Sequence, residues 1–475
     1  MEPKDKTEKI NLDRRDMLKT MGVAAATVAA GALTSAAAAD AQQQATPSEH
    51  NVYGAPPGSG VSMPPYYLPT PSVKNRNVYM PGTEPIGPDE MRITFMGSQP
   101  WPPRLSQAAQ CIMVELGNGQ RYFFDFGPGC MRNIVANQVP IAEVDNIFLT
   151  HLHADHIGEL PYLWNFSPFA GRMKPIHIIG PSGRTPELGT KAMWEGLKKF
   201  LAWGTQAFEG TGPMPALDSD NITEFDFKDD GGVCYDKDGV KVIHWRRSHA
   251  MDGASAYRLE WNGLSFVFTG DGKPDRLTAK YGKGADVFVS EMAVDIINLW
   301  AMKQGLQPMM GAVTLDIHHT THYGFGYLAN LVQPRLALAT HLSFDRELLN
   351  EMSAGVRMYY KGFFAYGIDN TVINVTKDRM WIREAALSDF AGVKSPDPQW
   401  VFKNMFDGKM PTAEMMKTKY TVKGNQEQAV RDLEIDPALF TPKDQIRPWV
   451  REWPQDAKPE DFMPKPAGGP QAPKK

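Results

Sequence analysis

The sequence has little cysteine and little net charge. Its 475 residues include three cysteines, Cys111, Cys130 and Cys234. This number excludes a disulfide framework and leaves at most one bridge, whose pair the sequence does not identify. The formal net charge is −4, so no overall basic character indicates a polyanion-binding protein. Disulfide-scaffolded small domains are therefore excluded, and nucleic-acid binding is not favoured.

Long apolar runs are also scarce. The one at residues 21–39 is alanine-rich but interrupted by glycine, threonine and serine, so it is a weak candidate for a membrane span. It follows Arg14 and Arg15 and ends in the small-residue pattern Ala-Asp-Ala at 39–41, which is typical of a twin-arginine signal peptide. We therefore predict export of residues 42–475 by the twin-arginine machinery and a periplasmic or secreted mature protein without a stable membrane span. The alternative is an uncleaved anchor helix.

Composition and length indicate a soluble globular protein with extensions. Apolar residues make up 42% and charged residues 22% of the chain, as in ordinary globular domains. The length allows two or three average domains or one large α/β domain. Residues 42–88 show no period and predict an irregular arm, and residues 391–475 predict a proline-rich extension. The main domain is then expected at 89–390.

Apolar and alternating runs predict the elements of this main domain. Strands are expected at 91–97, 111–116, 121–127, 144–149, 175–181, 242–249, 256–260, 264–271, 285–292 and 336–343. The sequence Gly-Asn-Gly at 117–119 predicts a hairpin turn, because Asn-Gly favours the positive φ values that such a turn requires. Amphipathic helices are expected at 186–203 and 323–331.

A dense cluster of metal-binding side chains follows the predicted strand at 144–149. Residues 151–156 read His-x-His-x-Asp-His and contain three of the protein's 11 histidines. A strand that delivers such side chains onto a loop is a rigid support for a metal. Imidazole and carboxylate ligands suit Zn²⁺, and Mn²⁺ or iron fit less well. The alternative interpretation is a histidine-rich surface loop.

Further candidate ligands stand at the ends of later predicted strands. They are His249, Asp271 and His341. The predicted strand at 285–292 also contains a carboxylate near its end, Glu291, and a second histidine cluster at 318–322 includes His319. A carboxylate such as Asp271 can bridge two cations and reduce their mutual repulsion. The sequence therefore predicts two metal sites in one cluster.

With these motifs in place, the sequence resembles the metallo-β-lactamase fold superfamily, and within it the ribonuclease-Z-like and arylsulfatase-like branch. The resemblance extends from about residue 91 to 343. It implies an α/β fold, a four-layer αββα sandwich, and a dinuclear centre whose ligands match seven positions: His151, His153, Asp155, His156, His249, Asp271 and His341. Asp125 resembles the family aspartate that ties loops together beside the site.

The resemblance also indicates catalytic groups. Asp155, Glu291 and His319 are the expected catalytic residues. His319 stands 22 residues before His341 (341 − 319 = 22), which is the spacing of a helper histidine in the nuclease branch. Glu291 could orient His319 and raise its pKa. The alternative role of His319 is to cap the turn before the helix at 323–331. The roles of His318 and His322 are open.

The expected activity is that of an exported dinuclear metal hydrolase. The resemblance implies that a metal-bridging hydroxide attacks small phosphodiester or sulfate-ester substrates. Alternatives are a lactonase or amidase, a ribonuclease-Z-like nuclease, and a non-catalytic metal-binding protein on the same fold. The absence of a basic glycine- and proline-rich arm and the negative net charge argue against a tRNA substrate. The ester type and the oligomeric state do not follow from the sequence.

Overall fold

The computed structural model describes residues 78–396, except for 102, 173, 209–219, 294–304, 306, 308, 310–317, 344 and 346–347. The predicted signal peptide (1–41), the arm up to residue 77 and the C-terminal extension from residue 397 lie outside the described residues. In the part of the chain that is described, no helix is long and apolar enough to cross a membrane.

The first sheet has nine strands and begins inside the predicted arm. In spatial order its strands are β1 (Val78–Tyr79), β16 (Met380–Ala385), β15 (Thr371–Val375), β2 (Met91–Gly97), β3 (Cys111–Leu116), β4 (Arg121–Phe124), β5 (Asn146–Phe148), β6 (Ile176–Pro181) and β7 (Asp220–Phe225). The β3–β4 hairpin forms as predicted, and Gly119 adopts a φ of 88° at its turn. From β4 to β7 the strands are parallel.

The second sheet has seven strands. In spatial order they are β14 (Phe364–Tyr366), β13 (Leu336–Thr340), β12 (Val287–Glu291), β11 (Leu264–Phe268), β10 (Ser255–Trp261), β9 (Val240–Arg246) and β8 (Gly232–Lys237). The strands from β11 to β14 are parallel, and β10 is antiparallel to both β9 and β11. Strands β9, β11, β12 and β13 therefore end at the same edge of the sheet.

Eight α-helices are described. They are α1 (Cys130–Ala136), α2 (Ala154–Ile157), α3 (Leu160–Phe166), α4 (Thr190–Phe200), α5 (Ala202–Phe208), α6 (Arg276–Tyr281), α7 (His322–Val332) and α8 (Leu349–Tyr359). Short 3₁₀ helices lie at Ile141–Glu143 and Pro186–Leu188.

Three apolar clusters show how these layers stack. The inner faces of the two sheets share one core, in which the Phe124 ring lies 5.1 Å from both Phe148 and Phe266. A second cluster joins the outer face of the first sheet to α1, α3 and α4, and a third joins the second sheet to α6, α7 and α8. Each sheet thus buries both of its faces, which confirms the predicted four-layer αββα sandwich.

The region predicted as one helix at 186–203 is divided. The chain is extended at Gly189, between the 3₁₀ turn and α4, and a second break at Leu201 separates α4 from α5. A side chain at position 189 would meet the Glu224 carboxylate at 2.5 Å. That carboxylate accepts a hydrogen bond from the backbone N–H of Lys191 at 2.8 Å. Glu224 from β7 therefore caps α4, and the prediction of a continuous helix is wrong because this long-range contact leaves no local sequence pattern.

Candidate metal centre

The predicted site residues follow the carboxyl ends of five strands. Four of them come one to three residues after a strand ends: His151 after β5, His249 after β9, Asp271 after β11 and His341 after β13. The fifth, Glu291, is the last residue of β12. Each strand is buried or largely buried, so the side chains that follow it are held by rigid backbone. The site lies where loops from the two sheets meet.

One group of nitrogens comes from His151, His153 and His249. The distance from His151 Nε2 to His153 Nδ1 is 2.9 Å, and from His249 Nε2 to His153 Nδ1 it is 3.2 Å. Two imidazole nitrogens that bind one Zn²⁺ at about 2.0–2.1 Å with tetrahedral angles lie roughly 3.3 Å apart. The three histidines therefore have a spacing that one cation can occupy.

A second group comes from Asp155, His156 and His341. His341 Nε2 lies 3.3 Å from Asp155 Oδ2 and 3.2 Å from His156 Nε2, and the distance from His156 Nε2 to Asp155 Oδ2 is 3.7 Å. Asp155 and His156 belong to the four-residue helix α2, whose first turn directs both side chains to the same side as His341. This group has the spacing of a second cation site.

Asp271 lies between the two groups. Its Oδ2 is 3.9 Å from the Nε2 atoms of His151 and His249, and 3.4 Å from those of His156 and His341. Its other oxygen, Oδ1, is buried and has no hydrogen-bond partner among the described residues. An unpartnered buried carboxylate oxygen is costly unless it is coordinated. The donor set and this atom together fit two cations bridged by Asp271.

The electrostatics of the histidines agree with ligand roles. Burial lowers the pKa of His151, His153 and His249, which leaves neutral imidazoles with free lone pairs. Burial alone would raise the pKa of Asp271, but the adjacent His341 and His156 hold it well below its ordinary value. Burial also opposes the charged form of His156, yet Asp271 and Asp125 raise its pKa well above the ordinary value. Cation binding must therefore displace a proton from the His156–Asp271 pair.

Asp125 fixes the metal-binding loop, as the sequence predicts. Its fully buried carboxylate accepts hydrogen bonds from the Thr150 backbone N–H at 2.7 Å and from the Thr150 hydroxyl at 2.8 Å. His156 Nδ1 donates to the same carboxylate at 2.7 Å. This bond leaves His156 Nε2 directed at Asp155 and His341. Asp125 therefore orients a ligand and does not itself face the two groups.

His319 and Glu291 form a pair beside the site. The distance from His319 Nδ1 to Glu291 Oε2 is 2.5 Å, and from His319 Nδ1 to Asp271 Oδ2 it is 3.8 Å. Burial would lower the pKa of His319, but the Glu291 carboxylate outweighs it and raises this pKa to about 9. Glu291 also accepts hydrogen bonds from the backbone N–H groups of Gly272 and Thr320. Since the side chain of Thr321 caps α7, His319 does not have the capping role that was its alternative.

Other histidines and aromatics lie apart from these groups. His244 is buried and stacks on Phe225 with ring centroids 3.7 Å apart. His318 contributes its backbone carbonyl, which accepts from His249 Nδ1 at 3.0 Å. Trp164, which follows the metal-binding loop in the sequence, is buried against Trp194. The polar contacts around Leu342 join distant parts of the chain, so no local sequence pattern predicts them.

Comparisons with known proteins relate part of this chain to one superfamily. Residues 107–303 match the family described as "Metallo-beta-lactamase superfamily". Ribonuclease Z of Methanococcus maripaludis is 38% identical over 92 residues, which are 19% of this chain and 30% of that protein. Ribonuclease Z of Mycolicibacterium paratuberculosis is 29% identical over 201 residues, 40% of this chain and 68% of that protein. The solved human short-form tRNase Z has a TM-score of 0.44 at 18% identity and covers 59% of this chain and 98% of its own.

The matched segment contains most of the candidate site. Residues 107–303 match the model of the metallo-beta-lactamase superfamily, and proteins named ribonuclease Z are similar to parts of this chain. The segment contains six of the seven predicted ligands, and His341 follows it. These findings support a metal-dependent hydrolase. The match to the Methanococcus maripaludis protein spans less than a third of that relative, so its activity is not transferred to this chain, and the arylsulfatase-like assignment stays a prediction.

Proposed function

We propose that this protein is a dinuclear metal-dependent hydrolase of phosphodiester or sulfate-ester bonds. His151, His153 and His249 would hold one cation, and Asp155, His156 and His341 the other. The observation that carries the proposal is the buried Asp271, whose carboxylate lies within 3.9 Å of nitrogens from both groups while one of its oxygens has no partner. The nitrogen and oxygen donor set favours Zn²⁺.

Cations bound there would lower the pKa of a water molecule and polarise an oxygen of the scissile ester. The chain supplies the remaining parts of the reaction. Asp125 keeps His156 in one tautomer and orientation through a 2.7 Å bond. Asp155 stays ionised, because His341 and His156 lower its pKa despite its burial. Its carboxylate can therefore also accept a hydrogen bond from an attacking water molecule.

His319 is suited to protonate the leaving group. Its Nδ1 is bound to Glu291, so Nε2 is the atom that can carry a proton to a departing oxygen. With a pKa of about 9, the imidazole is protonated at neutral pH. A general acid in such a position accelerates departure of a poor leaving group by roughly 10²–10⁴-fold. The pair His319–Glu291 thus acts as an acid and its orienting carboxylate.

The substrate we favour is a small ester that the protein meets after export. This choice is supported by the twin-arginine pattern at Arg14 and Arg15 and by the net charge of −4, which gives no general attraction for RNA. A ribonuclease-Z-like nuclease is the second candidate, and the homologues of that name favour it. Both candidates hydrolyse phosphodiesters, so they share the same metal centre and differ in the surface around it.

A metal analysis and a substrate panel test the proposal. The purified protein, stripped with a chelator and reloaded with Zn²⁺, is expected to bind two ions per chain and to hydrolyse an aryl phosphodiester, an aryl sulfate or both. A lactone and a 3′-extended RNA in the same panel address the other candidates. The proposal is wrong if fewer than two ions bind tightly. Two bound ions without hydrolysis of any panel member would favour the non-catalytic alternative.

A further inference from the structure

His341 has an unusual backbone conformation. Its φ is 52°, in the left-handed region that β-unbranched polar residues enter rarely and that glycine enters freely. A residue in such a conformation persists only when its surroundings determine it, and residues of this kind concentrate at functional sites. The backbone on either side of His341 must therefore be held by specific contacts.

The residue after His341 is held on both of its backbone polar groups. The Leu342 N–H donates to the Ser98 carbonyl oxygen at 3.1 Å, and Gln107 Nε2 donates to the Leu342 carbonyl oxygen at 3.1 Å. One residue further on, Gln99 Nε2 donates to the Ser343 hydroxyl at 2.9 Å. Ser98, Gln99 and Gln107 thus hold the backbone and side chain immediately beyond His341.

A buried carboxylate in turn fixes Ser98 and Ala108. Asp369 Oδ1 accepts from the Ser98 hydroxyl at 2.7 Å, and its Oδ2 accepts from the Ala108 N–H and from Asn133 Nδ2, both at 2.7 Å. Gln107 Nε2 also donates to the Ser98 hydroxyl at 3.1 Å. Asp369 is 8% exposed. The contacts therefore run without a break from Asp369 through Ser98 and Gln107 to the backbone beside His341.

We propose that Asp369 and Gln107 are positioning residues for the second metal site, because they hold His341 in the left-handed conformation that directs its Nε2 toward Asp155 and His156. This inference rests on the proposed function, in which His341 binds a cation. Neither residue is itself a ligand. Gln107 donates to the backbone of Leu342, which follows the ligand His341. Asp369 binds Ser98, whose carbonyl oxygen accepts from the Leu342 N–H. Neither residue has a described contact with the first group of histidines.

The proposal predicts a selective effect on one of two sites. Partners that orient a metal ligand are each worth roughly 10–100-fold in metal affinity. Gln107→Leu and Asp369→Asn are therefore expected to lower the affinity for the ion at Asp155, His156 and His341 by about tenfold or more. The ion at His151, His153 and His249 should keep its affinity. Released from the grip, His341 can relax to a conformation in which its imidazole no longer faces Asp155.

The experiment measures the affinity of each site by chelator competition, with Co²⁺ in place of Zn²⁺ so that absorption spectra follow the two sites. The matched control is Glu84→Gln, which disturbs another buried carboxylate, bound to Arg383 at 2.8 Å and 3.0 Å. The control is expected to lower thermal stability and to leave both affinities unchanged. Gln107→Leu removes no charge, and so provides a second variant if Asp369→Asn does not fold.

The outcomes separate this inference from the function on which it rests. A wild-type protein that binds fewer than two ions refutes the proposed function. If the wild type binds two ions and both variants keep two affinities equal to those of the wild type, only the positioning role is refuted. An equal loss at both sites in the variants and in Glu84→Gln also refutes it, because general destabilisation would then explain the result. Selective loss of the ion at Asp155, His156 and His341 in Gln107→Leu or Asp369→Asn, with both affinities kept in Glu84→Gln, supports the positioning role, and selective loss of the other ion refutes it.

Discussion

Replacing His319 with alanine should separate metal binding from leaving-group departure. Its Nδ1 lies 2.5 Å from Glu291 and 3.8 Å from Asp271, so its loss removes a proton donor without removing a member of either ligand group. A positioned acid contributes roughly 10²–10⁴-fold, which corresponds to about 2.7–5.5 kcal/mol of transition-state stabilisation. We expect a loss of activity of this size for alkyl esters, because their alkoxide leaving groups are strong bases. Nitrophenyl esters, whose leaving group needs little protonation, should lose about tenfold or less.

The assay compares kcat/KM for the two substrate classes in metal-loaded wild type, His319→Ala and the control His177→Ala. His177 lies near the amino end of β6, whereas the candidate site follows the carboxyl ends of the strands, and its Nε2 pairs with Asn221 at 3.1 Å. Elemental analysis must find two ions in each protein. The assignment of His319 as the acid fails if the two classes lose activity equally, or if an ion is lost with the side chain. His318 and His322 would then be tested in the same way.

A second variant of the pair gives the sign of a pH effect. Glu291→Gln removes the main cause of the raised pKa of His319, which is about 9 in place of the ordinary 6.5. The acid must be protonated to act, so the rate should begin to fall at a lower pH. Bound cations offset part of the carboxylate field, and we expect the basic limb of the pH–rate profile to move down by roughly one to two units. An unchanged or upward-shifted limb would refute the pairing.

Three further predictions concern the metals, export and the core. Asp271→Ala should weaken the binding of both ions, because two cations would then face each other without a bridging anion. Elemental analysis that still finds two tightly held ions would overturn the bridging role. Replacing Arg14 and Arg15 with lysine should leave the precursor in the cytoplasm, and fractionation that finds mature protein outside would contradict the signal prediction. Phe124→Ala should cost about 3–5 kcal/mol of unfolding free energy, since its fully buried ring packs between the sheets. Denaturant titration measures this, and a cost below about 1 kcal/mol would argue against that packing.

Local sequence patterns predicted the parts of the site that are built locally. Residues 151–156 carry four candidate ligands on one turn after β5, so composition and spacing alone identified them. His249, Asp271, Glu291 and His341 were found because each ends an apolar strand, and a strand is the element that alternation and β-branching indicate best. The structure places all of these side chains in one cluster.

The remaining features depend on contacts that no local pattern encodes. Gly189 separates two helical segments because a carboxylate from β7 fills the space beside it. Asp369, an aspartate in a turn between strands, shows its role only once Ser98 and Asn133 are brought to it from more than 230 positions away (369 − 133 = 236). Strands β15 and β16 were not predicted either, and their partners β2 and β1 lie near the start of the described chain.

This last pairing has a consequence for the order in which the protein can fold. Strand β2 lies inside the first sheet between β3 and β15, and all seven of its residues are buried. Until residues 371–375 have left the ribosome, one edge of this apolar strand has no partner, and β1 has none until β16 follows. Unpaired apolar edges promote aggregation. The central strand β2 can therefore complete its pairing only after residues 371–375 have been made, so the first sheet closes late in synthesis.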